Sequence, residues 1–113
     1  MKSIVIIALL CFLPIAAQAH ARLNHASPRV GSTVAAAPKE LSMWFTEKLE
    51  PAFSTAEVRN AQGAVQSGKA RVDGTVLHVP LQSLSPGTYT VNWRVLSVDT
   101  HRTQGSFTFT VGH

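Results

Sequence analysis

Sulfur is scarce in this chain. Its one cysteine, Cys11, sits in the leading apolar run, and Met43 is the only methionine beyond Met1. Any oxidising compartment is therefore met without disulfides, and stability has to come from packing. Charge is sparse too, at 14% of residues, and the Lys and Arg side chains are scattered singly with no interleaved aromatics. That pattern gives nucleic-acid binding no footprint. No internal repeat, heptad or low-complexity segment occurs. No serine lies in a nucleophile elbow, which removes the usual signature of a hydrolase. Helical periodicity is missing as well, apart from a weak stretch from Thr46 to Phe53 that Pro51 interrupts.

The one long apolar run, Ile4 to Ala17, has 14 residues. A helix crossing a bilayer needs roughly 20. With Lys2 ahead of it and Ala17-Gln18-Ala19 behind it, the run reads as an export signal cut after Ala19. Cys11 follows Leu9-Leu10, where a lipidation site wants a small residue, so no lipid anchor is expected. Residues 1–19 then form a removed signal, and His20 to His113 form one domain of 94 residues with no stable membrane insertion. That domain carries nine Lys and Arg against six Asp and Glu, a formal +3.

Short runs of β-branched and aromatic residues recur, each closed by Pro, Gly, Asn or Ser. Strands are predicted at Ala21–His25, Glu40–Thr46, Ala56–Asn60, Ala64–Gln66, Thr75–Val79, Thr88–Val98 and Gly105–Val111. Phe107, Phe109 and Val111 alternate with Ser106, Thr108 and Thr110, and Tyr89, Val91, Trp93 and Val95 alternate with Thr90, Asn92 and Arg94. This is the period of half-buried antiparallel strands. Turn residues fall between them at Ser27-Pro28, Asn60 to Gly63, Asp73-Gly74 and Ser85-Pro86-Gly87. The expected fold is all-β, a two-sheet sandwich of about seven strands with Greek-key connections.

Chemistry concentrates at two places. Cleavage after Ala19 would make His20 the first residue, whose α-amine and imidazole Nδ1 can chelate one metal. Their ordinary pKa values, about 7.7–8.0 and 6.5, leave few protons to displace near neutrality. Asp99-Thr100-His101 supplies a carboxylate and an imidazole at i and i+2, on one face if the chain is extended. Together these residues offer three nitrogens and one oxygen, a set that suits tetragonal Cu(II). Closing one site this way requires the first strand to run beside the last two, which would bring the two ends of the mature chain together.

Several motifs resemble the CopC family of copper-resistance proteins. They are His20-Ala21-x-Leu23, Ser27-Pro28 with Gly31, and Leu41-x-x-Trp44-Phe45-x-Glu47. Further along come Pro86-Gly87-Thr88-Tyr89-x-Val91-x-Trp93-Arg94-Val95, Ser97-x-Asp99-x-His101, and Gly105-Ser106-Phe107-x-Phe109-x-Val111. The resemblance implies an immunoglobulin-like sandwich holding one Cu(II) ion through the His20 amine and ring, Asp99 and His101. It also implies a periplasmic role in copper handling, often beside the inner-membrane protein CopD; a non-enzymatic, monomeric carrier or buffer is expected. Some members resemble two-metal carriers with a methionine-rich loop for Cu(I). Here the stretch from Asn60 to Thr75 is short and Met-free, so no dedicated Cu(I) site is expected.

The other candidates are weaker. His25 lies near the site in sequence but its side is open, His78 reads as a partly exposed strand residue, and His113 ends the chain. Glu47 either orients a ligand or is a solvated carboxylate. Trp44 and Trp93 read first as core, with Trp93 a possible wall of the site. An amino-terminal histidine chelate also resembles the copper brace of polysaccharide monooxygenases, so an oxidase is the alternative function. The small size, the few exposed-looking aromatics and the carboxylate of Asp99 favour the carrier. A module that binds protein or carbohydrate, with incidental histidines, would be indifferent to removal of His20.

Overall fold

The computed structural model describes residues 21–113. The expected signal and His20 lie outside the described residues. Eight strands follow in order: β1 (Leu23–Ser27), β2 (Thr33–Val34), β3 (Glu40–Phe45), β4 (Thr55–Arg59), β5 (Arg71–Asp73), β6 (Val76–Pro80), β7 (Gly87–Leu96) and β8 (Arg102–Val111). They build two four-stranded sheets, ordered β1-β3-β6-β5 and β2-β8-β7-β4. Only the β5–β6 and β7–β8 connections stay within one sheet; the others cross between sheets. The all-β sandwich expected from the sequence is the fold that forms.

Period-2 alternation drives the layering. Leu41, Met43 and Phe45 of β3 and Leu77 and Val79 of β6 face Val58 of β4, Val91, Trp93 and Val95 of β7, and Phe107 and Phe109 of β8. All are buried, so both sheets turn one apolar face inward and one polar face outward. Tyr89 stacks on Phe109, with centroids 5.6 Å apart, and its hydroxyl donates to the Ser85 carbonyl at 2.5 Å. That bond satisfies the polar end of a buried ring and ties the connection before β7.

Trp93 shows how side-chain size is balanced across strands. Its neighbours in register are Ala56 on β4 and Gly105 on β8, and its ring meets Phe45 edge-on at 5.1 Å. A methyl group built on Gly105 would come within 2.5 Å of the indole, and the buried ring has little freedom to retreat. Gly105→Ala is therefore expected to destabilise the fold by about 1–3 kcal/mol through overpacking. Urea denaturation should show a lower midpoint at constant slope; an unchanged midpoint would mean the indole has room to shift.

Four expectations need correction. The segment 64–66 is not a strand. Asn60 Oδ1 accepts the Gln62 and Ala64 amides, and after a single bridge from Arg59 to Val65 the chain passes to the other sheet, where Ser67 bridges Leu81. Strands β2 and β5 were not foreseen, because two or three residues are too few to display an alternation. Trp44 is not core: Leu41, Met43 and Phe45 take the inner face of β3, so Trp44 must face outward, where it is half-buried. The two ends of the domain do not meet either. Ala21 lies at the start of β8, whereas Val111 pairs with Gly87 at the other end of that ten-residue strand.

Candidate metal centre

Strands β7 and β8 are joined by five residues, Ser97 to His101, and the bond between the Ser97 amide and the His101 carbonyl leaves Val98-Asp99-Thr100 as the three-residue tip of the loop. The Ser97 amide donates to the His101 carbonyl at 3.0 Å, and the Thr100 amide donates back to the Ser97 carbonyl at 2.8 Å. Thr100 takes a left-handed conformation with φ of 71°. A turn followed by a left-handed residue is a common build for a three-residue hairpin loop. A β-branched residue in that region is an outlier of the kind that clusters at functional sites. Asp99 and His101 are thus brought together by a tight turn rather than by the extended chain that their i, i+2 spacing suggests. The outcome is nonetheless a pair, with His101 Nδ1 3.3 Å from Asp99 Oδ1.

Both side chains are accessible, at 37% exposure for Asp99 and 49% for His101. The Ser97 hydroxyl above all holds the Asp99 carboxyl below the usual carboxylate range, desolvation next opposes it, and His101 adds smaller effects in the same direction as Ser97. Asp99 is accordingly an anion throughout the neutral range, the form that a cation needs. A carboxylate and an imidazole separated by this distance fit one metal ion, with ligand types that suit Cu(II) and Zn(II) alike. Among the described residues no three His, Cys, Asp or Glu side chains converge.

The surroundings form a closed ring at this end of the sandwich. The Thr46 amide donates to the Arg22 carbonyl at 3.0 Å, and the Val98 amide donates to the Lys48 carbonyl at 3.0 Å. The Thr103 hydroxyl donates to the Ala21 carbonyl at 2.8 Å. Following the chain between these bonds leads from Ala21 through Thr46, Lys48, Val98 and His101 to Thr103 and back to Ala21. The first described residue is thereby fixed two residues along β8 from His101. Sequence reasoning did not find Thr103, and the only signal for it was a hydroxyl at the inward register of a strand start.

The remaining histidines are elsewhere engaged. His25, on β1 in the other sheet, lies flat on Trp44 with centroids 4.5 Å apart and planes 9° apart. His78 contacts Ser42 Oγ at 3.0 Å and Glu40 Oε1 at 3.3 Å through Nδ1. His113 is exposed at the opposite end. Glu47 is half-buried on the ring between Thr46 and Lys48, and Trp93 points between the sheets. A surface depression of about 750 Å³ lies over Thr55, Asn92, Arg94, Gln104 and Ser106 and contains neither Asp99 nor His101. Its position on the outer sheet face separates it from the Asp99–His101 pair.

Comparison with known proteins places this arrangement in a family. Residues 23–112 match the sequence model of the CopC domain. The chain belongs to the CopC family. Among CopC relatives, Protein YobA of Escherichia coli strain K12 is 41% identical over 98 residues, spanning 82% of this chain and 79% of that protein. The crystal structure of CopC from Methylosinus trichosporium OB3b superposes with a TM-score of 0.78 at 33% identity, covering 82% of this chain and 94% of that one. PcoC of Escherichia coli, described as a methionine-rich copper resistance protein, gives 0.73 at 33% identity, covering 82% and 99%. This CopC chain differs from that description, since its Met43 has no exposed surface and lies in the core.

Proposed function

We propose that the mature protein binds one Cu(II) ion through the amine and ring of His20, the Asp99 carboxylate and the His101 imidazole, and acts as a periplasmic copper carrier or buffer. The observation that carries this reading is the 2.8 Å bond from Thr103 to the Ala21 carbonyl. His20 is covalently next to Ala21, one Cα–Cα step of about 3.8 Å. A donor pair at that position therefore starts from a point anchored beside the Asp99–His101 turn. The names of the family's copper-resistance members support the choice of metal. Copper is the cargo here, and nothing in the proposal makes the protein an enzyme.

Export belongs to the same proposal: removal of residues 1–19 exposes the His20 amine and delivers the chain to the periplasm as a monomer. Among the described residues no helix is long and apolar enough to cross a membrane. Delivery to, or receipt from, a CopD-like inner-membrane protein is part of the same proposal, supported by the family resemblance. The buried position of Met43 supports Cu(II) as the only oxidation state held tightly.

The test is a copper titration of correctly processed protein. One equivalent of Cu(II) should bind with three nitrogens and one oxygen by electron paramagnetic resonance, and Cu(II) should outcompete Zn(II). Tight binding of one equivalent of Cu(I), measured against a Cu(I) chelator, would sink the Cu(II)-only reading. Turnover of a reductant and oxygen on a polysaccharide by the loaded protein would favour the oxidase alternative instead.

A further inference from the structure

Two polar side chains are buried among the described residues, Ser54 and Ser97, and Ser97 has no exposed surface at all. A buried hydroxyl needs a partner, and backbone groups suffice. Ser54 follows that rule, since its oxygen accepts the Leu96 amide at 3.1 Å and pins the chain before β4 to β7. Ser97 does something different: its hydroxyl donates to Oδ1 of Asp99, an ionised and partly exposed carboxylate that water could otherwise solvate. A charge-assisted bond of this kind is roughly twice as strong as a neutral one.

The same oxygen lies 3.3 Å from the His101 amide, which donates to it, while the Ser97 amide donates to the His101 carbonyl at 3.0 Å. One buried residue thus holds the carboxylate of Asp99 and the backbone of His101. The Ser97 hydroxyl and the His101 ring both meet Asp99 at Oδ1, which makes Oδ2 the less engaged oxygen and the one better placed to meet a metal. We infer that Ser97 is the positioning residue of the metal centre, fixing Asp99 to present a single oxygen beside the His101 imidazole. The inference rests on the copper reading above. It matters because the loop is short and exposed, and a carboxylate free to turn would have to be ordered at the moment of binding.

Ser97→Ala removes the hydroxyl while leaving the buried volume nearly unchanged. It should weaken Cu(II) binding by about 10–100-fold, the usual effect of losing a ligand's supporting hydrogen bond. The nitrogen count should stay at that of the wild type, while the spectrum shifts in the direction produced by Asp99→Ala. In an Asp99→Ala background the same substitution should add nothing, and Ser97→Thr, which keeps the hydroxyl, should recover most of the affinity. Wild-type affinity and spectrum in Ser97→Ala, or an equal further loss in the Asp99→Ala background, would overturn the inference while leaving the copper site standing. Unaltered Cu(II) binding in Asp99→Ala itself would show that the copper reading had failed. Should Ser97→Ala not fold, the contact is readable in the wild type as a slowly exchanging Ser97 hydroxyl proton in NMR spectra. That signal should move on Asp99→Asn, and its absence would overturn the proposal.

Discussion

Protein that keeps Met1, or carries any tag ahead of His20, is expected to lose more than about 100-fold in Cu(II) affinity while its thermal melt stays unchanged. The bound is set by comparison, because even outer partners of a metal ligand contribute about 10–100-fold, and here a ligand itself is removed. An upstream residue converts the His20 amine into an amide, which is not a base near neutral pH, and breaks the chelate that ties amine and ring to one ion. The fold should be indifferent, since the ring of hydrogen bonds at this end begins with the Ala21 carbonyl, bonded by the Thr103 hydroxyl, and involves no charged terminus. Competition titrations on tagged and correctly processed protein decide the matter. Equal affinities would refute the ligand set.

His101→Ala should be comparably severe for binding and should remove one nitrogen from the paramagnetic resonance spectrum. Asp99→Ala should cost less and change the oxygen contribution instead. Both side chains are exposed on the β7–β8 loop, so neither substitution should unfold the domain. His78→Ala is the control, because that ring is held by Ser42 and Glu40 on the outer face of the other sheet. A nitrogen lost in His78→Ala, or none lost in His101→Ala, would move the site. Acid should release the metal from the wild type, since protons compete with a metal for its nitrogen ligands.

Much of this architecture was legible because alternation survives wherever a strand is long. Strands β7 and β8 run for ten residues each and show the period in their inward Tyr89, Val91 and Trp93 and Phe107 and Phe109. Strand β5 offers only Val72 between two charges, and β2 is a two-residue parallel pairing with the end of β8. No local pattern could announce either. Trp44 misled because residue type was weighed above register: a tryptophan at an outward position is shielded by His25 instead of by the core. The Asp99–His101 pair was found for a reason that proved wrong in detail. The spacing suggested an extended chain, and the turn that Thr100 makes in a left-handed conformation brought the groups together by another route. Ser97 stood in the sequence in front of that pair, but its role depends on burial, which spacing does not report.

The tie between Thr103 and Ala21 also determines how this protein can be attached to anything else. Ala21 is held by Thr103, the second residue of β8, and the chain leaves the sandwich after Val111, eight residues further along the same strand. At a rise of about 3.3 Å per residue the two exits are roughly 26 Å apart, on opposite ends of the molecule. A dye, a surface linker or a second protein joined after His113 would therefore point the Asp99–His101 end away from its support. Immobilised in that orientation, the domain becomes a directional probe, with its charged turn facing the solution and its anchorage at the far pole.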